Sequence, residues 1–183
     1  MNPSLSHSAA TIMKNHLILL AAILAFVPCG RATTVIPPTF DELVDQAQVI
    51  FQGKVTEVRS QWTGEGAQRY IVSYVTFRVE ESLKGNSGQT YTIRMFGGTV
   101  DDESMGASDA PVFVSGDKDI VFVQNNGTQF IPLVGIMHGR FHIQRDQSGR
   151  ESVLTNESQP VSGLAAFKGA IRTKLGVGAN PVQ

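Results

Sequence analysis

From Val49 the chain alternates. Val49, Phe51, Gly53 and Val55 are apolar or small, while Gln52, Lys54 and Thr56 are polar, the period of a strand with one face on a core. Gly53 inside that run predicts a sharp coil or bulge. A polar turn from Trp62 to Gln68, with Gly64 and Gly66, leads to a second long strand over about Arg69 to Leu83, whose inner parity carries Ile71, Val75, Phe77 and Val79. Lys84-Gly85-Asn86-Ser87-Gly88 turns the chain into a third strand, where Tyr91, Ile93 and Met95 alternate with Thr90, Thr92 and Arg94. Ile120-Val121-Phe122-Val123 is apolar on both parities, which predicts a strand covered on both faces. Asn125-Asn126-Gly127 is a hairpin signal. It is followed by Phe130 to Val134 and by Ile136 to Gln144, where Met137, Gly139, Phe141 and Ile143 alternate with His138, Arg140 and His142, and then by a short strand over Ser152-Val153-Leu154.

Two segments switch to helical spacing. Thr39 and Glu42 form a T-x-x-E capping box over Phe40 to Ala47, with Phe40, Leu43, Val44 and Ala47 on one face. Near the C-terminus Val161, Leu164, Phe167, Ile171 and Leu175 share a face, Lys168, Arg172 and Lys174 suit the negative end of the helix dipole, and Gly176 ends the helix. The expected fold class is therefore mainly β, a small antiparallel barrel with a short N-terminal helix and a C-terminal helix. Val49, Phe51, Val55, Ile71, Val75, Phe77, Val79, Tyr91, Ile93, Val121, Phe141 and Ile143 are its expected core.

The start of the chain reads as an address. Leu17 to Val27 is an uninterrupted apolar run behind Lys14 and His16, too short to span a bilayer and suited to a secretory leader. Gly30 and Ala32 fit the small-residue positions of a cleavage site, so residues 1–32 are the expected signal peptide and Thr33 the first residue of an exported, secreted or periplasmic, chain. Met13 is an alternative start. Cys29, the sole cysteine, falls within the leader, and Val27-Pro28 before it departs from a lipoprotein pattern. Residues 33–175 are then one domain and 176–183 a flexible tail. The chain carries 15 Lys+Arg against 16 Asp+Glu, which supplies no bulk positive field and argues against nucleic acid or a polybasic membrane contact.

Candidate chemistry is sparse. His138 and His142 stand about 13 Å apart if both lie on one strand, too far for two ligands of one ion, and are expected as solvent-facing partners of Arg140. Asp101, Asp102 and Glu103, with Asp109, belong to a polar stretch from Gly97 to Asp109 that shows no periodicity and is a candidate functional loop. Its spacing lacks the alternating ligands of a calcium loop. Asp117 and Asp119 flank Lys118 where a turn enters a strand, and turn chemistry accounts for them. No G-x-S-x-G, G-x-G-x-x-G or Walker pattern is present. Asn126-Gly127-Thr128 and Asn156-Glu157-Ser158 are glycosylation sequons in a eukaryotic host. No cofactor or metal is expected.

The order PPTFDELVDQAQVIFQGKVTEV, YIVSYVTFRVEESLKG, YTIRMFGGTV, GDKDIVFV and LVGIMHGRFHI resembles that of a group of exported bacterial proteins, mostly uncharacterised. The same layout is similar to the OB-like barrel of netrin-like modules and of tissue inhibitors of metalloproteinases. In those inhibitors an N-terminal ridge docks on the target's zinc, and Thr33, Thr34, Val35, Pro37 and Pro38 occupy the matching stretch here, with no cysteine to anchor them. The resemblance implies an OB-like fold, and with the catalytic motifs missing the expectation is a non-enzymatic, monomeric binding module of unknown ligand, protein-binding by preference. It would bind a partner such as an exported metalloprotease through that ridge together with Asp101, Asp102 and Glu103. A zinc-protease inhibitor and a hydrolase are the alternatives. A ligand binder would present aromatic residues outward, with Trp62, Tyr70 and Tyr74 as candidates, although these are expected beneath the C-terminal helix.

Overall fold

The computed structural model describes residues 37–177, so the expected leader, the Thr33, Thr34 and Val35 part of the ridge and most of the tail lie outside the described residues. The chain runs α1 (Phe40–Gln46), β1 (Val49–Thr63), β2 (Tyr70–Lys84), β3 (Thr90–Phe96), β4 (Gly98–Val100), β5 (Glu103–Met105), β6 (Lys118–Val123), β7 (Arg140–Arg145), β8 (Glu151–Thr155), β9 (Pro160–Gly163) and α2 (Leu164–Lys174). Seven strands form one antiparallel sheet in the order β3-β2-β1-β6-β7-β8-β9, and β4 pairs with β5 alone. The fold is mainly β with two helices, as the periodicity predicts. The ladder does not close into the expected barrel, because β3 and β9 remain its edges.

Strand coiling comes from β1 and β2, whose pairing shifts register near Ile50, Gly53 and Val55. A Cβ on Gly53 would sit 3.0 Å from the Arg78 carbonyl oxygen, tighter than an ordinary van der Waals contact, so glycine eases the close approach of the two backbones. The curl brings β3 near the segment after β6. Phe96 N donates to the Phe130 carbonyl at 2.7 Å. The Asn126 side chain accepts from Arg94 N at 3.1 Å and donates to the Thr92 carbonyl at 2.8 Å, committing the amide of the first sequon to the β3 edge.

Apolar side chains fill both faces of the sheet. On one, Ile50, Ile120, Phe122, Phe141, Ile143 and Val153 pack beneath α1 and α2 through Leu43, Val44, Leu164, Phe167 and Ile171. On the other, Phe51, Val55, Val75, Phe77, Ile93, Val121 and Val123 pack with Phe113, Ile131 and Leu133. Strand β6 divides between the two, Ile120 and Phe122 against Val121 and Val123, so its apolar run on both parities has the expected cause. Of the expected core, Val49, Val79 and Tyr91 are only partly buried. Phe141 and Ile143 are buried on the helix side, not with Phe77.

The helices are fixed by their ends. Thr39 N donates to Glu42 Oε2 at 2.7 Å and Glu42 N to Thr39 Oγ1 at 3.3 Å, completing the capping box. Lys84 Nζ donates to the Val44 and Asp45 carbonyls at the other end of α1. Helix α2 closes on Gly176, at φ 68°, with Gly176 N bonded to the Thr173 carbonyl and Val177 N to that of Arg172, a Schellman end. Lys174 pairs with Asp41 and Asp45 of α1, and Lys168 and Arg172 pair with Glu81 of β2.

Several expected elements differ. The Gly97 to Asp109 stretch contains the β4–β5 hairpin, too short to show a period. Ile136–Gly139 is a 3-10 turn, so β7 begins at Arg140 and His138 is not on a strand. Phe130 to Val134 makes a single bridge, Leu133 with Val123. Val161 lies exposed in β9, with α2 starting three residues later at Leu164.

Candidate functional site

One concave region stands out on each face of the sheet among the described residues. The smaller, about 290 Å³, is lined by Phe40, Leu43, Met137, His138, Phe141 and Phe167, with Pro38 at its wall. The Pro38 ring abuts Gly135, where a Cβ would lie 2.8 Å from Pro38 Cγ. Pro37 is exposed.

The larger cleft, about 430 Å³, is floored by Val58, Ser60, Ser73, Val75 and Met95 of β1, β2 and β3. The β4–β5 hairpin and the 106–113 segment roof it through Met105, Ala107, Ala110, Pro111 and Phe113. The Gly97-Gly98 pair after β3 makes this possible. Gly97 and Gly98 have φ 99° and 130°, and a Cβ on Gly98 would lie 2.3 Å from the hydroxyls of both Ser60 and Ser73. Those hydroxyls are 2.8 Å apart, and Ser73 Oγ donates to the Gly97 carbonyl at 2.7 Å. A hydroxyl pair thus holds the hairpin against the sheet.

Asp101, Asp102 and Glu103 form the tip of this hairpin and its entry into β5, all exposed, with Asp101 at φ 53°. None of the three lines the larger cleft, to which the hairpin contributes Gly98, Thr99, Ser104 and Met105, while Pro38 borders the smaller one on the opposite face. The structure therefore does not bring these acids and the Pro37-Pro38 ridge to one surface.

The roof is tied down by a charged cluster that turn chemistry does not explain. In register, Asp119 of β6 faces His142 of β7, and Arg140, two residues before His142, projects to the same face. Asp119 is fully buried and Arg140 nearly so. Arg140 Nε donates to Asp119 Oδ1 at 3.0 Å and Nη2 to Asp119 Oδ2 at 3.4 Å. Nη2 also reaches Asp117 Oδ2 at 3.0 Å and Nη1 the Val112 carbonyl at 2.5 Å. The guanidinium lies over the Phe113 ring, 4.5 Å from its centroid. His142 Nδ1 is 3.1 Å from Asp119 Oδ1, and this hydrogen bond raises the imidazole pKa against the opposing effects of burial and Arg140. His142 is thus a half-buried partner of Asp119 and not a solvent-facing partner of Arg140.

Asp117, Asp119 and His142 place ligand atoms within 4.8 Å of one another. A cation there would have to displace a guanidinium already bonded to both carboxylates, so the arrangement works as an ion-pair lock on the 112–117 segment.

Trp62, Tyr70 and Tyr74 do not lie beneath α2. Trp62 sits under Arg69, whose guanidinium carbon is 3.9 Å from the ring centroid. Tyr70 packs with Phe96 and Phe130, and Tyr74 under Arg59. These contacts depend on cross-strand register, which period-two patterning does not carry. The buried Asp119 had a weak signal in the D-K-D entering an all-apolar strand.

No protein-family model matches the chain, and no curated protein or solved structure matches it.

Proposed function

We propose that this protein is an exported module of OB-like architecture that does no chemistry of its own and receives a protein partner at the mouth of the larger cleft. The observation that carries this reading is the cleft of about 430 Å³ with an apolar rim. Val112 and Val114 stand 75% and 57% exposed beside it, and Val58 and Met105 are exposed as well. Contiguous apolar surface around a concave site is the mark of a contact surface, and the volume accommodates a large apolar side chain. The acidic hairpin tip, Asp101, Asp102 and Glu103, lies beyond the lining residues Thr99 and Ser104 and would add charge selectivity to the approach of a partner.

The OB-like reading is supported by the Phe96 to Phe130 hydrogen bond and the Asn126 clamp, which draw β3 toward the segment after β6. Absence of chemistry is supported by Arg140, which saturates the carboxylates nearest His142. Export is supported by the Leu17 to Val27 run and the small residues before Thr33. No helix among the described residues is long and apolar enough to cross a membrane.

A photo-crosslinking side chain at Val112 tests the site. It is expected to capture one discrete protein from the exported fraction, and the same probe at Ser148, in the distant β7–β8 turn, is expected to capture none. Ala107→Trp should fill the cleft and abolish capture. Equal capture at Ser148, or undiminished capture by the filled variant, would refute the cleft as the contact. Mass spectrometry of the exported chain is expected to start at Thr33, and retention of residues 1 to 28 or a lipid on Cys29 would overturn the export reading.

A further inference from the structure

Two arginines and a tyrosine stand abreast on the sheet face opposite the cleft. The register sets Arg59 of β1 against Tyr74 of β2, and Tyr74 against Arg94 of β3. Residues directly opposite in antiparallel strands project to the same face, and two strand spacings put the arginine Cα atoms about 10 Å apart. Phenol rings hold both guanidinium groups. Arg59 lies 5.5 Å from the Tyr74 ring centroid, and Arg94 Nη2 donates to Tyr70 Oη at 3.3 Å. Neither arginine belongs to an ion pair among the described residues. The tyrosines orient the two charges without neutralising them.

The next row along the strands is Gln61, Val72 and Phe96. Val72 is fully buried, and Phe96, which also reaches the cleft lining, packs with Phe130 at 5.6 Å and with Tyr70 at 6.0 Å between centroids. Phe130 is 63% exposed. On the other side of the arginines the row is Glu57, Thr76 and Thr92, a single carboxylate and two hydroxyls. The face therefore presents a short cationic row beside an aromatic patch, about 7 Å away, the distance between residues i and i+2 of a strand.

We infer that this face binds an extended acidic peptide carrying a carboxylate side chain and, two residues along, an aromatic or branched apolar side chain. An extended chain projects its i and i+2 side chains to one side at the spacing of the two rows. The guanidinium fork accepts a carboxylate in bidentate fashion, and the apolar side chain covers Phe130. A polyanion, whether an acidic polysaccharide or a single-stranded nucleic acid, would satisfy the arginines but leave Phe130 uncovered and meet Glu57 with like charge.

Fluorescence anisotropy on the full chain tests this with a labelled peptide, Ser-Asp-Ser-Phe-Ser-Asp-Ser. Saturable binding is expected, weakened about tenfold by Arg94→Gln or Arg59→Gln, weakened by Phe130→Ser, and reduced by added salt. Arg59 is exposed and contacts only Tyr74 among these groups, so Arg59→Gln keeps the test valid if Arg94→Gln lowers the melt. Three results would each overturn the inference: no saturable binding, equal binding of a peptide with Asn for Asp, or tighter arginine-dependent binding of an oligogalacturonate or a thymidine oligonucleotide. Ala107→Trp should leave this binding unchanged, which separates its failure from that of the cleft reading.

Discussion

Replacing Asp119 with asparagine keeps the shape of the side chain and removes one buried charge. The native carboxylate has no exposed surface and accepts from Arg140 Nε, from Arg140 Nη2 and from His142. Without it the nearly buried guanidinium has one charged partner left, Asp117, whose side chain is 27% exposed, beside the neutral asparagine oxygen, the Val112 carbonyl and the Phe113 ring. Breaking a buried pair by removing one partner costs about 3 to 5 kcal/mol, because the surviving charge stays desolvated. For a domain of this size the melt should fall by roughly 6 to 20 °C. Asp117→Asn removes a contact that water can replace and should cost about 1 kcal/mol. Urea unfolding, with the slope checked for constancy, measures both. The double variant Asp119→Leu, Arg140→Met should be no less stable than Arg140→Met alone, a coupling of about 2 kcal/mol or more. Because Arg140 also grips Val112, hydrogen exchange over 111–117 should accelerate in Asp119→Asn more than in β2. An Asp119→Asn cost below about 1 kcal/mol, or strictly additive single variants, would refute the lock.

Phe77 is fully buried and meets Phe51 and Phe113 edge-on at 5.3 and 5.4 Å, so Phe77→Ala should cost about 3 to 5 kcal/mol. Thr76→Ala, on the opposite parity, should cost under about 1 kcal/mol in the same denaturation assay. The raised pKa of His142 gives a stability contribution that is full below the unfolded value of about 6.5 and disappears as pH rises through the folded value. The stability gap between wild type and His142→Gln should therefore narrow from about pH 5 to pH 8, and a widening gap would contradict the Asp119 hydrogen bond. Gly98→Ala should lower the melt and raise protease cleavage at the 101–103 tip, since its Cβ has no room beside Ser60 and Ser73.

What patterning reveals of this molecule follows from which faces are covered. Strand β2 alternates cleanly where only one of its faces meets a core, and Ile71, Val75 and Phe77 are legible at once. Strand β1 is less so, because Ile50, on the parity read as outward, is fully buried beneath the helices. The same cause places Phe141 and Ile143 correctly inside but in the other core. Strands β4 and β5 have three residues each and are held by the Gly97-Gly98 geometry, so no periodicity marks them. Of the expected binding residues, Asp101, Asp102 and Glu103 stand on the exposed tip of the hairpin that roofs the cleft, outside its lining, and Pro38 stands at the other cavity. The Arg59, Tyr74 and Arg94 row escapes a reading along the chain because its members are neighbours only across strands. Arg140 shows the limit of alternation. A charged residue on the outward parity is buried here because the 111–117 segment, distant in sequence, lies over it.

An open sheet edge offers unsatisfied amides and carbonyls to any other extended chain, and β3 is such an edge. At Thr92 and Arg94 the Asn126 carboxamide fills the place of a neighbouring peptide unit, one donor and one acceptor in a single side chain. Gly127 follows directly, and an Asn-Gly step is the pairing most prone to deamidation, since the unhindered glycine amide can attack the side-chain carbonyl carbon. The two hydrogen bonds hold that carbon in a fixed orientation while the fold is intact. A carboxylate formed there has no hydrogen to return to the Thr92 carbonyl and sets like partial charges against each other. Loss of that one amide would leave the Thr92 carbonyl without its donor and expose this stretch of the edge to strand addition.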